Sequence, residues 1–332
     1  MSDISPDRFI DNVFAYQKTA AVKAAVELDL FSAIGAGADT VDALAARVSA
    51  SPRGVRILCD YLTVQELLIK EGGRYRLTPS SSVFLDKRSP ACMTSVVDFL
   101  AAPELMQLYL EDPAVFVRNG GSVGLANLAP DHPLWVKFAR AMVPFVAPIA
   151  QGIAEEVARW PAPPRKVLDV AAGHGVYGIA IGKAVPGASI VALDWRPVLE
   201  VALENARREG LEQRYTTIPG SAFDVDWGAG YDLILIPNFL HHFDREGCVG
   251  ILGRARRALA PGGAVLVVEM VPNDDRVSPP FPAMFAFVML ASTPKGDAWT
   301  ARELEEMGQA AGFDSSSVKA LPPSPQTLIV YH

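Results

Sequence analysis

The sequence predicts an α/β chain of two domains: a helical N-terminal domain of winged-helix type, then a Rossmann-like, mostly parallel sheet that closes with an antiparallel hairpin. Three observations carry this expectation. Apolar residues recur at helical spacing from Ile10 to about Leu68; β-prone runs and amphipathic helices alternate after Pro161; and a glycine-rich string joins the first of those strands to a helix. A chain of 332 residues suits two domains, the larger with a sizeable core. The expected boundaries are 1–90 for the N-terminal domain, 91–160 for a helical bridge and 161–332 for the sheet domain.

In the N-terminal domain the apolar positions run through Val13, Ala20, Ala24, Val26 and Leu28. Asp39-Thr40 can cap a helix through Leu44 and Val48, and Ser51-Pro52 sets an N-cap and an N1 proline before a third helix through Ile57, Tyr61 and Leu62. Gly72-Gly73 lies between two β-prone runs, so a tight hairpin should follow as the wing. The bridge is rich in large apolar residues, among them Phe99, Leu105, Tyr109, Trp135, Phe138, Met142 and Phe145. Beyond it, strands are expected over 166–170, 190–193, 215–218 and 233–236, with helices from about Val176 and Pro197. A helix over 244–259 precedes a Pro261-Gly262-Gly263 turn and a strand over 264–270. Thr300 and Glu303 form a capping box for a helix that stops at Gly312, and the runs 316–320 and 327–331 should pair as the hairpin.

Composition narrows the function classes. The formal net charge is -7, and the third helix mixes Arg53 and Arg56 with Asp60 and Glu66, so nucleic acid is not an expected partner. The N-terminus lacks a signal peptide's basic and apolar regions, and no apolar run is long enough to span a bilayer, so a cytoplasmic protein without membrane contact is expected. Cys59, Cys92 and Cys248 are odd in number, far apart and without metal-ligand spacing, and read as buried thiols.

The string Asp169-Val-Ala-Ala-Gly-His-Gly-Val-Tyr-Gly178 ends one strand and opens a helix, where Gly173 and Gly175 let the backbone turn sharply and approach a ligand closely. About twenty residues further on, Asp194 ends the second strand, placed to accept hydrogen bonds from ribose hydroxyls. A nucleoside is therefore expected there, with Trp195 and Asn238 as further cofactor contacts. Glycines at 173, 175 and 178 also satisfy the dinucleotide pattern, which leaves a nicotinamide cofactor as the alternative to S-adenosylmethionine. The terminal hairpin favours S-adenosylmethionine, and so does Asp169, which suits a cationic amine better than a pyrophosphate.

On these residues the chain resembles, over essentially its whole length, the dimeric O-methyltransferases that include caffeate-type plant enzymes and bacterial enzymes of secondary metabolism. The resemblance implies a winged-helix dimerisation domain, a class I methyltransferase domain, S-adenosylmethionine as cofactor and a homodimer through the N-terminal domain. The family's glycine motif matches 169–175, with Asp194 as the ribose ligand, and its adenine-binding Gly-Asp-Met-Phe falls on Gly220-Ser221-Ala222-Phe223, where the Asp is replaced by Ser221. The catalytic His of its Leu-His-Asp-Trp motif falls on His241 of Leu240-His241-His242-Phe243, and the acidic residue ending the next strand on Glu269. The motif's Asp is His242 here, and the family's second catalytic Glu is Ala298.

The residues themselves lead to the same pair. Methyl transfer to a hydroxyl needs alignment and a group that takes the proton. Neighbouring parallel strands lie about 4.8 Å apart, and such sheets bind ligands at the strands' carboxyl ends, where Glu269 can fix the tautomer of His241. A structural role for either residue is the plain alternative, and a metal held by His241, His242 and Asp244 is another, although no metal is expected. Trp135, Phe138, Met142, His242, Met284 and Phe285 are expected to line the pocket of a small-molecule acceptor, with the apolar run 281–290 folded over it. Transfer to carbon, nitrogen or sulfur, non-methylating chemistry on the same scaffold and a nicotinamide oxidoreductase remain alternatives to a small aromatic or polyketide-like hydroxyl.

Overall fold

A computed structural model describes residues 4–122 and 132–332 and divides into two compact units, the break falling after Leu105. Residues 123–131, part of the expected bridge, lie outside the described residues.

The first unit is helical around one small hairpin. Its elements are α1 (Asp7–Val13), α2 (Ala15–Glu27), α3 (Leu30–Gly35), α4 (Val41–Arg47), α5 (Pro52–Val64), β1 (Leu68–Glu71), β2 (Arg74–Leu77), α6 (Pro79–Phe84) and α7 (Val96–Leu100). Thr40 and Ser51 cap α4 and α5 by accepting from the Ala43 and Gly54 amides at 3.3 and 3.0 Å, replacing backbone partners that a helix start lacks. Leu30, Phe31, Leu44, Leu62 and Tyr75 fill the core. The Tyr75 ring is buried, yet its hydroxyl donates to Asp60 Oδ1 at 2.6 Å, and Lys70 donates to the same oxygen at 2.5 Å, so the wing is pinned to α5 by one carboxylate. Phe9, Val13, Phe14 and Tyr16 leave an apolar surface on α1 and α2 exposed.

After α8 (Pro103–Leu110), the second unit opens with α9 (Pro113–Asn119), α10 (Pro133–Ala141) and α11 (Val143–Val157). The sheet follows as β3 (Lys166–Val170), α12 (Val176–Ala184), β4 (Ser189–Asp194), α13 (Arg196–Arg208), β5 (Tyr215–Pro219), β6 (Tyr231–Pro237), α14 (Arg245–Ala258) and β7 (Leu259–Glu269). It ends with α15 (Pro280–Ser292), α16 (Ala301–Ala310), β8 (Ser316–Ala320) and β9 (Thr327–Tyr331). The seven strands order β5-β4-β3-β6-β7-β9-β8; the first five are parallel, and the β8–β9 hairpin joins β7 antiparallel. Parallel strands with helices on both faces must be apolar on both sides, which is why β3 and β6 read as nearly unbroken buried runs. One core, including Ile153, Ile181 and Leu266, fills one face, and a second, including Ile234, Leu252 and Met307, fills the other. The strand order reverses between β3 and β6, so a crevice opens at their carboxyl ends, the switch point where such sheets bind ligands.

Two local expectations change. The Pro261-Gly262-Gly263 segment is a bulge inside β7, not a turn before it: Leu259 pairs with Tyr231 and Ala264 with Leu233, and Gly262, at φ 78°, lets the intervening residues loop out and rejoin the ladder. Cys92 is half-buried, with Sγ 3.2 Å from Thr94 Oγ1, whereas Cys59 and Cys248 are buried, their thiols both pushed up to about 12 by burial. Among the described residues no helix is long and apolar enough to cross a membrane.

Candidate active site

The carboxyl ends of β3, β4, β6 and β7 bring Asp169, Asp194, Asn238, His241 and Glu269 to one rim of the sheet. On the β3–β4 side the glycine loop is held by three side chains. Asp194 accepts the Gly173 amide on Oδ2 at 2.7 Å and the Trp195 amide on Oδ1 at 2.6 Å; His174 Nδ1 accepts the Val176 amide at 3.1 Å; and Asn205 on α13 donates to the His174 carbonyl at 2.8 Å. Gly175, at φ 73°, has no room for a side chain, since a Cβ there would lie 2.5 Å from the Tyr215 hydroxyl. Gly173, at φ 58°, faces open space: a Cβ there would meet nothing nearer than the Ala171 carbonyl at 3.9 Å. The loop is thus packed beneath and bare above, as a backbone that receives a ligand must be.

Asp169 is buried, and only one of its oxygens is used. Oδ2 accepts the Gly178 amide at 2.9 Å, while Oδ1 has no partner. Burial pushes its pKa up to about 8, opposed by the Gly178 amide and reinforced by the charge of Asp194; burial likewise raises Asp194 to about 6, and holds His174 down to about 4, neutral near pH 7. An orphaned carboxylate oxygen costs free energy until a donor meets it.

On the β6–β7 side Glu269 organises the turn that leaves β6. Its Oε1 accepts the amides of Phe239, Leu240 and His241 at 3.0, 2.8 and 3.3 Å, and its Oε2 lies 2.5 Å from His241 Nδ1. With Glu269 ionised, its Oε2 can only accept, and the imidazole bond then holds the proton on Nδ1 and leaves the lone pair on Nε2. His241 Nε2 has no protein partner among the described residues. The Phe285 ring of α15 stands edge-on to the His241 ring at 4.9 Å, and the His242 ring lies 4.4 Å from it. Burial and the neighbouring His241 hold the His242 pKa well below that of a free imidazole.

Residues 133–314 match the O-methyltransferase domain family and residues 10–87 its dimerisation domain. The chain belongs to the O-methyltransferase family. A crystal structure of a Nostoc punctiforme protein assigned as an O-methyltransferase superposes with a TM-score of 0.94 at 46% identity, covering 99% of each chain. The 3-amino-4-hydroxybenzoate 4-O-methyltransferase of Streptomyces cremeus is 29% identical over 96% of this chain and 88% of its own. Human N-acetylserotonin methyltransferase, solved in complex with SAM, shares the fold at a TM-score of 0.83 and 22% identity, covering 100% of this chain and 98% of its own.

In this O-methyltransferase the remaining expected contacts divide between the two ends of the rim. Ala222 is buried and its carbonyl accepts the Trp227 indole at 3.0 Å, Ser221 Oγ accepts the Phe223 amide at 3.1 Å, and the half-exposed Phe223 ring meets Phe243 edge-on at 4.9 Å. Trp135 on α10 packs against a small cluster of Ala139 with Val198 and Val201 of α13, which Trp195 also borders. Phe138 and Met142 are half-buried on the same helical segment, while Met284, 64% exposed, points away from the buried side of α15. Asp244 caps α14 through the Gly247 amide at 3.0 Å and pairs with Lys295 at 2.9 Å. It is not assembled with His241 and His242, and no cluster of three metal-binding side chains occurs among the described residues. His174, Tyr177, Asn205 and Gln326 were not expected; the side-chain partners of Tyr177, Asn205 and Gln326 lie too far along the chain for spacing to reveal, whereas His174 holds the Val176 amide two residues on.

Proposed function

We propose that the chain methylates a hydroxyl of a small aromatic or polyketide-like acceptor, with His241 as general base and Glu269 as its orienting carboxylate. S-adenosylmethionine is the methyl donor, and when bound it supplies an electrophilic methyl on a sulfonium. The residues present fit it. Asp194 retains lone pairs for ribose hydroxyls beside its two backbone donors, the unpartnered Asp169 Oδ1 suits an ammonium, the bare Gly173 admits close approach, and Phe223 offers an apolar face near an adenine.

The observation that carries the reading is the buried imidazole–carboxylate bond of 2.5 Å at the end of β6. With Nδ1 committed to Glu269, Nε2 takes the proton from the acceptor hydroxyl as oxygen attacks, and Glu269 stabilises the imidazolium that results. Phe285 sets an aromatic ring edge-on to the imidazole, which suits an aromatic acceptor; the Streptomyces cremeus relative, whose name specifies an aromatic hydroxyl, points the same way. Incubation with methyl-labelled S-adenosylmethionine and a panel of phenols, aromatic amines and keto acids tests this. Label is expected in an aryl methyl ether, and label confined to carbon or nitrogen would contradict it.

Cofactor binding should also release protons. Below a pKa of about 8 the free protein holds a proton on Asp169, whereas an ammonium beside Oδ1 favours the carboxylate. Binding therefore strengthens as pH rises from 6 towards 8, and calorimetry at pH 7 in buffers of different ionisation enthalpy should show release. The Asp169→Asn protein should bind more weakly with less release; unchanged release in that variant would remove Asp169 from the site.

We also propose that the homodimer contact lies on the N-terminal unit, where residues 10–87 match the dimerisation domain and where Phe9, just before that match, Phe14 and Tyr16 are 69%, 46% and 52% exposed. Light scattering should return twice the chain mass, and Phe9→Glu with Phe14→Glu should shift it towards one; an unmoved dimer would locate the contact elsewhere.

A further inference from the structure

Three polar side chains outside the reacting groups form a closed ring under the crevice. The Tyr177 hydroxyl, in the first turn of α12, donates to Gln326 Oε1 at 3.4 Å; Gln326 Nε2 donates to Asn238 Oδ1; and Asn238 Nδ2 donates back to Tyr177 Oη at 3.4 Å. Each group is donor to one neighbour and acceptor from the other, so no amide can flip without breaking two bonds. Tyr177 and Gln326 are 4% and 2% exposed, which makes any broken link costly. Burial raises the Tyr177 pKa, keeping the hydroxyl a donor.

The ring meets the backbone at one special residue. Asn238 has φ 54°, a left-handed conformation that few side chains tolerate, and its amide donates to the Val268 carbonyl at 2.7 Å. That conformation turns the chain as it leaves β6, so that the next three amides converge on Glu269 Oε1. Gln326 precedes Thr327, which pairs with Glu269 across the β7–β9 ladder, so the hairpin delivers the amide beside the carboxylate.

We propose that Tyr177 and Gln326 are positioning residues for the His241–Glu269 pair: through Asn238 they hold the turn that presents the imidazole, and they tie its placement to the glycine-loop helix and the terminal hairpin. The proposal rests on the reading of His241 as general base.

The test uses the full-length protein with Tyr177→Phe and Gln326→Met, which keep bulk and remove the ring's hydrogen bonds. Three readouts are taken: the downfield proton resonance of the His241 Nδ1–H, assigned by its loss in His241→Ala; affinity for S-adenosylhomocysteine; and kcat alone and combined with Glu269→Gln. The resonance is expected to shift upfield or broaden, homocysteine-product affinity to stay near wild type, and kcat to fall about tenfold, with no further fall in the Glu269→Gln background. Full additivity with Glu269→Gln, an unmoved resonance, or a loss of product affinity as large as the loss of kcat would each overturn it. If one variant fails to fold, the other carries the same readouts. Should His241→Ala keep full activity, the base reading fails by itself, and the resonance still reports whether the ring holds the pair.

Discussion

Replacing His241 by alanine is expected to lower kcat by about a hundred- to ten-thousandfold, the range for losing a general base, while affinity for the cofactor stays near wild type. The separation follows from geometry. His241 is tied to Glu269 at the β6–β7 end of the rim, whereas Asp194 and the glycine loop sit at the β3–β4 end. His242→Ala should cost much less, because that ring contributes no hydrogen bond to the Glu269 cluster among the described residues. Glu269→Gln should approach the His241→Ala loss. Its carbonyl must face the three amides now bound by Oε1, which points its NH2 at Nδ1, reverses the imidazole tautomer and places the proton on Nε2, as happens when a triad's orienting carboxylate becomes an amide. A rate profile over the three variants checks this; a dead His242→Ala beside an active His241→Ala would contradict it.

Asp194→Ala should weaken cofactor binding by about 1.5–3 kcal/mol, the range for hydrogen bonds to a charged group, or roughly ten- to a hundredfold in Kd. Two effects add. The ribose hydroxyls lose their acceptor, and the Gly173 and Trp195 amides lose the carboxylate that shapes the loop at 2.7 and 2.6 Å. Titration calorimetry with S-adenosylhomocysteine measures it, circular dichroism confirms folding, and wild-type affinity in a folded variant would place the nucleoside elsewhere.

The sheet was legible because its signals are local. Buried parallel strands are short unbroken apolar runs, their ends are marked by Asp169, Asp194 and Glu269, and the Thr300–Glu303 capping box lies within four consecutive residues. What the sequence concealed is long-range. Nothing near Gln326 announces that its amide reaches Asn238, 88 residues back. The pairing of α10 with α13, which takes Trp135 to the cluster of Ala139, Val198 and Val201, depends on packing that helical periodicity does not encode. The Pro261-Gly262-Gly263 segment carried a turn signal, but the tertiary ladder claimed both flanks and left the segment as a bulge. In the site, the strand ends could be read, whereas the convergence of three amides on Glu269 needed the left-handed Asn238, a conformation that an Asn permits without requiring it.

A series of phenolic acceptors of graded acidity tests most directly whether His241 acts as a base. A phenol that remains protonated at the assay pH needs its proton taken, while one already ionised does not. The ratio of wild-type to His241→Ala kcat should therefore be large for weakly acidic phenols and fall towards one as the acceptor pKa drops below the assay pH. A ratio that stays constant across the series would show that His241 serves some purpose other than taking the proton.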